Sequence, residues 1–278
     1  MKTFFSSLFA GWSWTTLDLL NHLWQSTAVA LALLLLLAFS GRLSANTRRL
    51  LGWMALLKFA FPIALLFRVI AMSGSAFDRW FGTRTFILPT EWSQSMAPIS
   101  ATTAVPTRYD VPLILIGAWI TVSVGLLGLW AIRGIRVRRA ILAGTAPVSA
   151  ALERSIADAA SLVGISKLPR RLNAPADRSP GLLGVFSPIL ILPSGIAETL
   201  SPAELESVLI HEFVHLRRRD NFWAAIQAIF GALFWFHPLV ALLNRRISAE
   251  TEKSCDEQVL AITRDPKNYA GGIVKCVR

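Results

Sequence analysis

Three long apolar runs dominate the first half of the sequence, at about residues 19–39, 50–72 and 111–132. Each run has close to the 20 or so residues that a helix needs to cross a bilayer. Lys58 and Arg68 interrupt the second run, and Pro62 predicts a kink in it. The pattern therefore predicts a membrane region over residues 1–132 with three transmembrane helices.

The charges beside these runs predict the side of the membrane on which each loop lies. Three arginines and no acid follow the first run, and four arginines follow the third run between residues 133 and 139. Cytoplasmic loops carry an excess of Lys and Arg, so both segments are expected to face the cytoplasm. Residues 73–110 carry balanced charge and are expected to lie outside.

The composition agrees with a membrane protein, since 54% of the residues are hydrophobic and only 16% are charged. The formal net charge of +11 would also suit a nucleic-acid partner. The basic residues, however, gather beside the apolar runs and lack the interleaved aromatic residues of a base-stacking surface. We therefore expect no direct nucleic-acid binding. The two cysteines, Cys255 and Cys276, form no disulfide framework.

Residues 133–278 show the mixed pattern of a small α+β domain. Residues 149–163 place apolar side chains on one helical face, and Gly164 follows as a stop signal. The β-rich run Ile189–Leu192 lies between two prolines, which is typical of an edge strand. It is either a plain core strand or an edge that pairs with an extended substrate peptide.

The segment "LIHEFVHLRRRD" (Leu209–Asp220) carries the chemistry. Ser201, Pro202 and Glu204 predict a capped helix from about residue 202 to 218. His211 and His215 then lie one turn apart on one face, the spacing at which two imidazoles bind one Zn²⁺. Glu212 lies beside them, where its carboxylate can accept a proton from water.

A catalytic zinc site needs a third protein ligand, and no third histidine follows the HExxH motif at a suitable spacing. A carboxylate from "SAETEKSCDEQ" (Ser248–Gln258) is the natural substitute. Glu252 and Asp256 are one helical turn apart and share a face. On spacing alone, four acids are candidates: Glu250, Glu252, Asp256 and Glu257.

The apolar run between the motif and this acidic cluster, residues 221–247, must turn back on itself. A single crossing of the bilayer would leave the carboxylate some 30 Å from a zinc ion that it must touch. His237 and Pro238 supply a break between two helical arms. We therefore expect a membrane-associated helical hairpin, with His237 at its turn rather than as a ligand.

These motifs together resemble the BlaR/MecR-type membrane metallopeptidases, the antirepressors of β-lactam sensing and their relatives. The resemblance rests on "HEFVHLRRRD", "FWFHPLV", "ETEKSCDEQVL" and "GVFSPILILP". It implies that His211, His215 and Glu252 hold zinc, that Glu212 is the general base, and that Asp256 supports a ligand from behind. It also implies a bacterial inner-membrane, multi-pass protein with a cytoplasmic protease site, whose action leads to cleavage of a DNA-binding repressor.

The resulting prediction is an α-helical membrane protein with a small cytoplasmic zincin-like metalloprotease domain over residues 133–278. Its partners would be the lipid bilayer and a peptide or protein substrate, and a homodimer is left open. Sensor-transducers of the family carry a further span and a penicillin-binding domain after the protease, so the sequence favours a chain truncated at its C terminus. Two other functions stay open: a housekeeping membrane protease of the HtpX or CAAX-processing type, and a non-catalytic receptor.

Overall fold

The computed structural model describes residues 16–39, 41, 43–61, 113–143 and 148–277. Helices make up most of these residues, and one small sheet lies among them. In chain order the elements are α1 (Thr16–Phe39), α2 (Ala45–Ala60), α3 (Leu113–Ala143), α4 (Ala150–Val163), β1 (Arg170–Ala174), β2 (Gly181–Leu183), β3 (Ile189–Pro193), α5 (Ile196–Thr199), α6 (Pro202–Arg218), α7 (Asp220–Leu233), α8 (Pro238–Thr263) and α9 (Pro266–Val277).

Helices α1 and α3 are the two described helices that are long and apolar enough to cross a membrane, by length and composition. Their spans are Asn21–Phe39 and Ile114–Ala143, and in an 18-residue apolar stretch of each only 22% and 6% is buried. Helix α3 continues without a break through the arginine-rich segment after Ile132, so it runs across the predicted domain boundary. Residues 62–72 of the second predicted span and the predicted outside loop, 73–110, lie outside the described residues.

Helix α2 packs tightly along α8. A Cβ atom added to Gly52 would lie 2.7 Å from Cγ1 of Ile247, so the two backbones approach closely only because residue 52 is glycine. Side chains from α1, α2, α7 and α8 share one apolar cluster, which includes Trp53, Phe59 and Leu243. Helix α2 therefore packs into the same apolar core as α8.

The predicted helix after residue 149 is confirmed. Ser149 caps α4 through its side chain, and Gly164 ends the helix in the left-handed conformation at φ 79°. The apolar face is buried and packs against α6 and the sheet in the largest core cluster: Leu152, Ile156, Ala159, Ala160 and Val163.

The strand over Ile189–Leu192 is confirmed, and of its two interpretations the core strand is right and the sheet-edge strand is wrong. The strand order is β1-β3-β2, and β3 pairs with β1 in parallel and with β2 in antiparallel orientation. All four residues are buried. The two prolines stand at the ends of the run, so the N–H groups between them can still donate hydrogen bonds to β1 and β2. The free edge on the side of the HExxH helix belongs to β2.

Helices α7 and α8 form the helical hairpin that the sequence predicts. Helix α7 ends at Leu233 and α8 begins at Pro238, with His237 as its N-cap residue. Gln227 and Asn244 exchange two side chain to backbone hydrogen bonds of 3.2 and 3.1 Å across the two arms. His237 Nε2 lies 2.9 Å from Thr27 Oγ1, so the turn contacts α1. The reversal brings the second half of α8 back to α6.

Candidate metal centre

Helix α6, which carries the HExxH motif, has the boundaries that the capping residues predict. The Ser201 side chain accepts a hydrogen bond from the Glu204 N–H, and the Glu204 carboxylate accepts one from the Ser201 N–H. Because His211 and His215 are four residues apart within this helix, their side chains project from adjacent turns on one face. Their Nε2 atoms lie 3.1 Å apart.

Each of these histidines is held from behind through its other ring nitrogen. His215 Nδ1 lies 2.7 Å from Asp220 Oδ2, and His211 Nδ1 lies 2.8 Å from the Tyr269 hydroxyl. Arg219 places Asp220 there by adopting the left-handed conformation at φ 55° between α6 and α7. Arg219 is the C-cap residue of α6, and helices commonly end in this left-handed conformation.

The acidic cluster on α8 divides between two helix faces. Glu252 Oε2 lies 3.8 Å from His211 Nε2 and 3.6 Å from His215 Nε2. Asp256 Oδ1 lies 2.6 Å from the Tyr269 hydroxyl. Glu250 and Glu257 instead face α2, and Glu250 is fully buried against Arg48. Of the four candidate acids, Glu252 alone has a carboxylate oxygen within 4 Å of both imidazole Nε2 atoms.

These three side chains fit a zinc ion. Because Nδ1 of each histidine is bonded to a neighbouring oxygen, the Nε2 lone pairs and the Glu252 oxygen converge on one point. Three acceptors in such proximity repel each other unless a cation lies between them. Two ligands of one tetrahedral zinc, bound at about 2.0 to 2.2 Å, lie roughly 3.3 to 3.6 Å apart, which is close to the observed separations.

Cys255 offers a rival third ligand, since its sulfur lies within 4.8 Å of ligand atoms on both histidines. The sulfur, however, is 3.6 Å from His211 Nδ1, the nitrogen already bonded to Tyr269, and 3.5 Å from the His211 carbonyl oxygen. The side chain is fully buried, and burial raises the pKa of its thiol, which disfavours the thiolate that metals bind. The geometry therefore favours Glu252.

A cavity of about 320 Å³ opens beside the convergent ligands. Glu212 lines it together with both histidines and Glu252. The cavity also has an aromatic wall, in which Trp53 of α2 and Trp223 of α7 meet edge to face with ring centroids 4.9 Å apart. There is thus room for a water molecule and part of a peptide next to the Glu212 carboxylate.

Burial and neighbouring charges shift the pKa values of the ionisable groups here. Burial raises the pKa of Glu212 to about 7, which suits a group that takes up and releases a proton near neutral pH. Burial and the neighbouring His215 lower the pKa of His211. Burial also acts to lower the pKa of His215, but the hydrogen bond to Asp220 and the nearby Cys255 and Glu252 side chains outweigh it and raise that pKa to about 12.

The edge of β2 that faces away from β3 borders the same cavity through Leu182. Asn221 occupies this edge, because its Nδ2 donates to the carbonyl oxygens of Leu182 at 2.9 Å and of Gly184 at 2.8 Å. A strand edge therefore lies beside the candidate ligands, although it is not the strand that the sequence indicated.

Sequence reasoning missed two side chains that contact the histidines. Asp220 was visible as an acid at the end of the arginine run, but only the turn at Arg219 folds it back onto His215. Tyr269 is one of two tyrosines in the chain and lies 58 residues from His211. The rarity of tyrosine in this chain was the only sequence feature that could have drawn attention to Tyr269. No neighbouring residue in the sequence connects it to the HExxH motif.

An HExxH helix, a returning carboxylate and a cavity are the features of a metallopeptidase. A family model described as BlaR1 peptidase M56 matches residues 17–278, and the chain belongs to that family. The resemblance seen in the sequence is thereby confirmed, and with it a metal-dependent peptidase class.

Curated relatives match over shorter segments. The chain is 28% identical over 100 residues to the methicillin resistance mecR1 protein of Staphylococcus aureus, which is 35% of this chain and 17% of that protein. It is 37% identical over 87 residues to the regulatory protein BlaR1 of Bacillus licheniformis, which is 31% of this chain and 14% of that protein. The match to the regulatory protein BlaR1 of Staphylococcus aureus is 30% over 91 residues, 32% of this chain and 16% of that protein. The matches thus span less than a fifth of each relative.

Proposed function

We propose that the chain is a membrane-embedded zinc endopeptidase of the signal-transduction type. The observation that carries this proposal is the convergence of His211 Nε2, His215 Nε2 and Glu252 Oε2 beside the buried Glu212 carboxyl group. Membership of the BlaR1 peptidase M56 family supports the peptidase class. The word "regulatory" in the names of two relatives supports the signalling role.

In the proposed mechanism, His211, His215 and Glu252 would hold the metal, and Asp256 would support a ligand from behind. When bound, zinc supplies a lowered water pKa and polarisation of the scissile carbonyl. Glu212 accepts the proton from the attacking water and delivers it to the leaving amine. Its carboxyl group suits both steps, since burial raises its pKa to about 7.

We infer that the substrate lies extended along β2. The edge of β2 borders the cavity, and main-chain pairing to a strand edge binds almost any sequence. The Asn221 side chain donates to the Leu182 and Gly184 carbonyl oxygens. Substrate N–H groups would have to replace it at these two oxygens. The substrate pairing that the sequence left open for Ile189–Leu192 is thus proposed for Gly181–Leu183 instead.

The proposed setting is the bacterial inner membrane, with the protease site on its cytoplasmic side and a transcriptional repressor as the target. The two candidate spans and the long arginine-rich end of α3 support this arrangement. The proposed domains are a membrane region, 1–132, and a peptidase region, 133–278.

Metal removal provides the first test of this function. The zinc-loaded chain, purified in detergent, is incubated with a cytoplasmic extract of its source cells, and new protein N termini are identified by mass spectrometry. We expect one DNA-binding protein to gain a new N terminus, its cleavage to stop with a zinc chelator, and zinc to restore it. New termini on many unrelated proteins would favour a housekeeping protease. No zinc-dependent terminus at all would favour the receptor function.

The hairpin gives a prediction about topology. Arg219 and Arg245 are both exposed, one at the start of α7 and one on the returning arm. Cysteines introduced singly at these positions should be labelled by an impermeant thiol reagent only in inside-out vesicles. The parent chain, with Cys255 buried and Cys276 half-buried, gives the background. Labelling of the two sites from opposite sides would contradict the proposed membrane placement of the hairpin.

A further inference from the structure

The hydroxyl group of Tyr269 lies between the Asp256 carboxylate and the His211 imidazole. Its oxygen is 2.6 Å from Asp256 Oδ1 and 2.8 Å from His211 Nδ1. The direct distance from Asp256 Oδ1 to His211 Nδ1 is 3.7 Å, which is too long for a hydrogen bond. The carboxylate therefore reaches this histidine only through the tyrosine.

The direction of the two hydrogen bonds follows from the chemistry of the groups. An ionised carboxylate only accepts, so the phenol must donate its single proton to Asp256. The phenol oxygen can then only accept from His211, which requires the hydrogen of the neutral imidazole to be on Nδ1. In that tautomer the Nε2 lone pair is free, and Nε2 is the atom that faces His215 and Glu252.

We propose that Tyr269 is a positioning residue for the metal centre, fixing the tautomer and orientation of His211 on behalf of Asp256. The proposal rests on the proposed function, since it takes His211 as a metal ligand. It gives Asp256 the supporting role that the family resemblance implies, but Asp256 acts on His211 through the Tyr269 side chain. The two ligand histidines are then held alike: His215 by the carboxylate of Asp220 directly, and His211 by a carboxylate through a phenol.

The packing of α9 holds Tyr269 in this position. Cβ atoms added to Gly271 and Gly272 would lie 2.7 Å from the Glu204 carboxylate and 3.1 Å from the Glu204 carbonyl oxygen, so α9 lies very close to α6. Lys275 forms an ion pair of 2.7 Å with Glu204 at the start of α6. Tyr269 itself is only 5% exposed. Helix α9 is therefore attached to α6 both at the metal centre and at the helix start.

The test is the zinc affinity of purified full-length variants, measured by competition with a chromogenic chelator. Tyr269→Phe keeps the ring and removes the hydroxyl, so we expect zinc binding to weaken by about 10- to 100-fold, as is typical when the partner of a ligand histidine is lost. Ser207→Ala is the matched control. It removes another buried hydroxyl, which donates to the Ala203 carbonyl on α6, and should leave zinc affinity unchanged.

A double-mutant cycle separates this role from a direct one. If Asp256 acts through Tyr269, Asp256→Ala, which removes the acceptor of the phenol proton, should weaken zinc binding in the wild-type chain and have little further effect in the Tyr269→Phe chain. Unchanged affinity in Tyr269→Phe, or a full Asp256→Ala effect in that background, would overturn the proposal. If Tyr269→Phe fails to fold, Asp256→Ala decides alone: unchanged affinity overturns the proposal. A wild-type chain that binds no zinc would contradict the proposed function itself.

Discussion

Replacement of Glu212 by glutamine is expected to lower peptide cleavage by about 10²- to 10⁴-fold while the purified chain keeps its zinc. Glutamine has nearly the same shape and cannot take up a proton from water. Because Glu212 lies beside the three converging ligand atoms rather than among them, the metal shell should stay intact. Metal content per chain and the cleavage rate are measured on the same preparation.

The companion variant Glu252→Ala should lose zinc and activity together, since it removes one of three protein ligands. Cys255→Ala is its matched control: the residue lies on the same helix, and its sulfur is the rival third ligand. We expect Cys255→Ala to retain zinc. If Cys255→Ala loses zinc and Glu252→Ala keeps it, the Cys255 thiol is the third ligand. If Glu212→Gln loses zinc and Glu252→Ala keeps it, Glu212 is the metal ligand and Glu252 is the general base. Full activity in Glu212→Gln would leave the receptor function standing.

Replacement of Arg48 by alanine is expected to destabilise the folded chain by about 3 to 5 kcal/mol, the typical cost of leaving a buried charge without its partner. The Glu250 side chain is fully buried, and Arg48 Nε binds its Oε2 at 2.8 Å. Arg246 and Lys253 remain near Oε1 at 3.2 and 3.4 Å, which places the expected loss toward the lower end. The measurement is the free energy of unfolding in mixed detergent.

Two further variants show whether the charge, rather than the lost side chain, is responsible. Adding Glu250→Gln to Arg48→Ala removes the buried charge that has lost its Arg48 partner and should recover part of the stability. Arg245→Ala removes an exposed arginine from α8 and should change stability by less than about 0.5 kcal/mol. Equal losses in Arg48→Ala and Arg245→Ala would show that the buried pair does not hold α2 against α8.

The features that the sequence predicted are those encoded by neighbouring residues. Capping chemistry fixed helix α6 from Pro202 to Arg218, and the apolar period with Gly164 fixed α4. Pro238 marked the turn of the hairpin. The place of Ile189–Leu192 in the sheet was not predictable in this way, because a central or an edge position depends on which strands arrive beside it.

The candidate site shows the same division between local and tertiary information. Helical periodicity alone places Glu252 with Asp256 on one face of α8, and Glu250 with Glu257 on another. Which face meets the histidines depends on the docking of α8 against α2 and α6, which Gly52 and the Arg48–Glu250 pair help to set. The HExxH motif fixed the spacing of His211 and His215 because they lie within one helix. Asp220 and Tyr269 reach these histidines only through a left-handed turn and a packed helix, and such contacts are formed by tertiary structure.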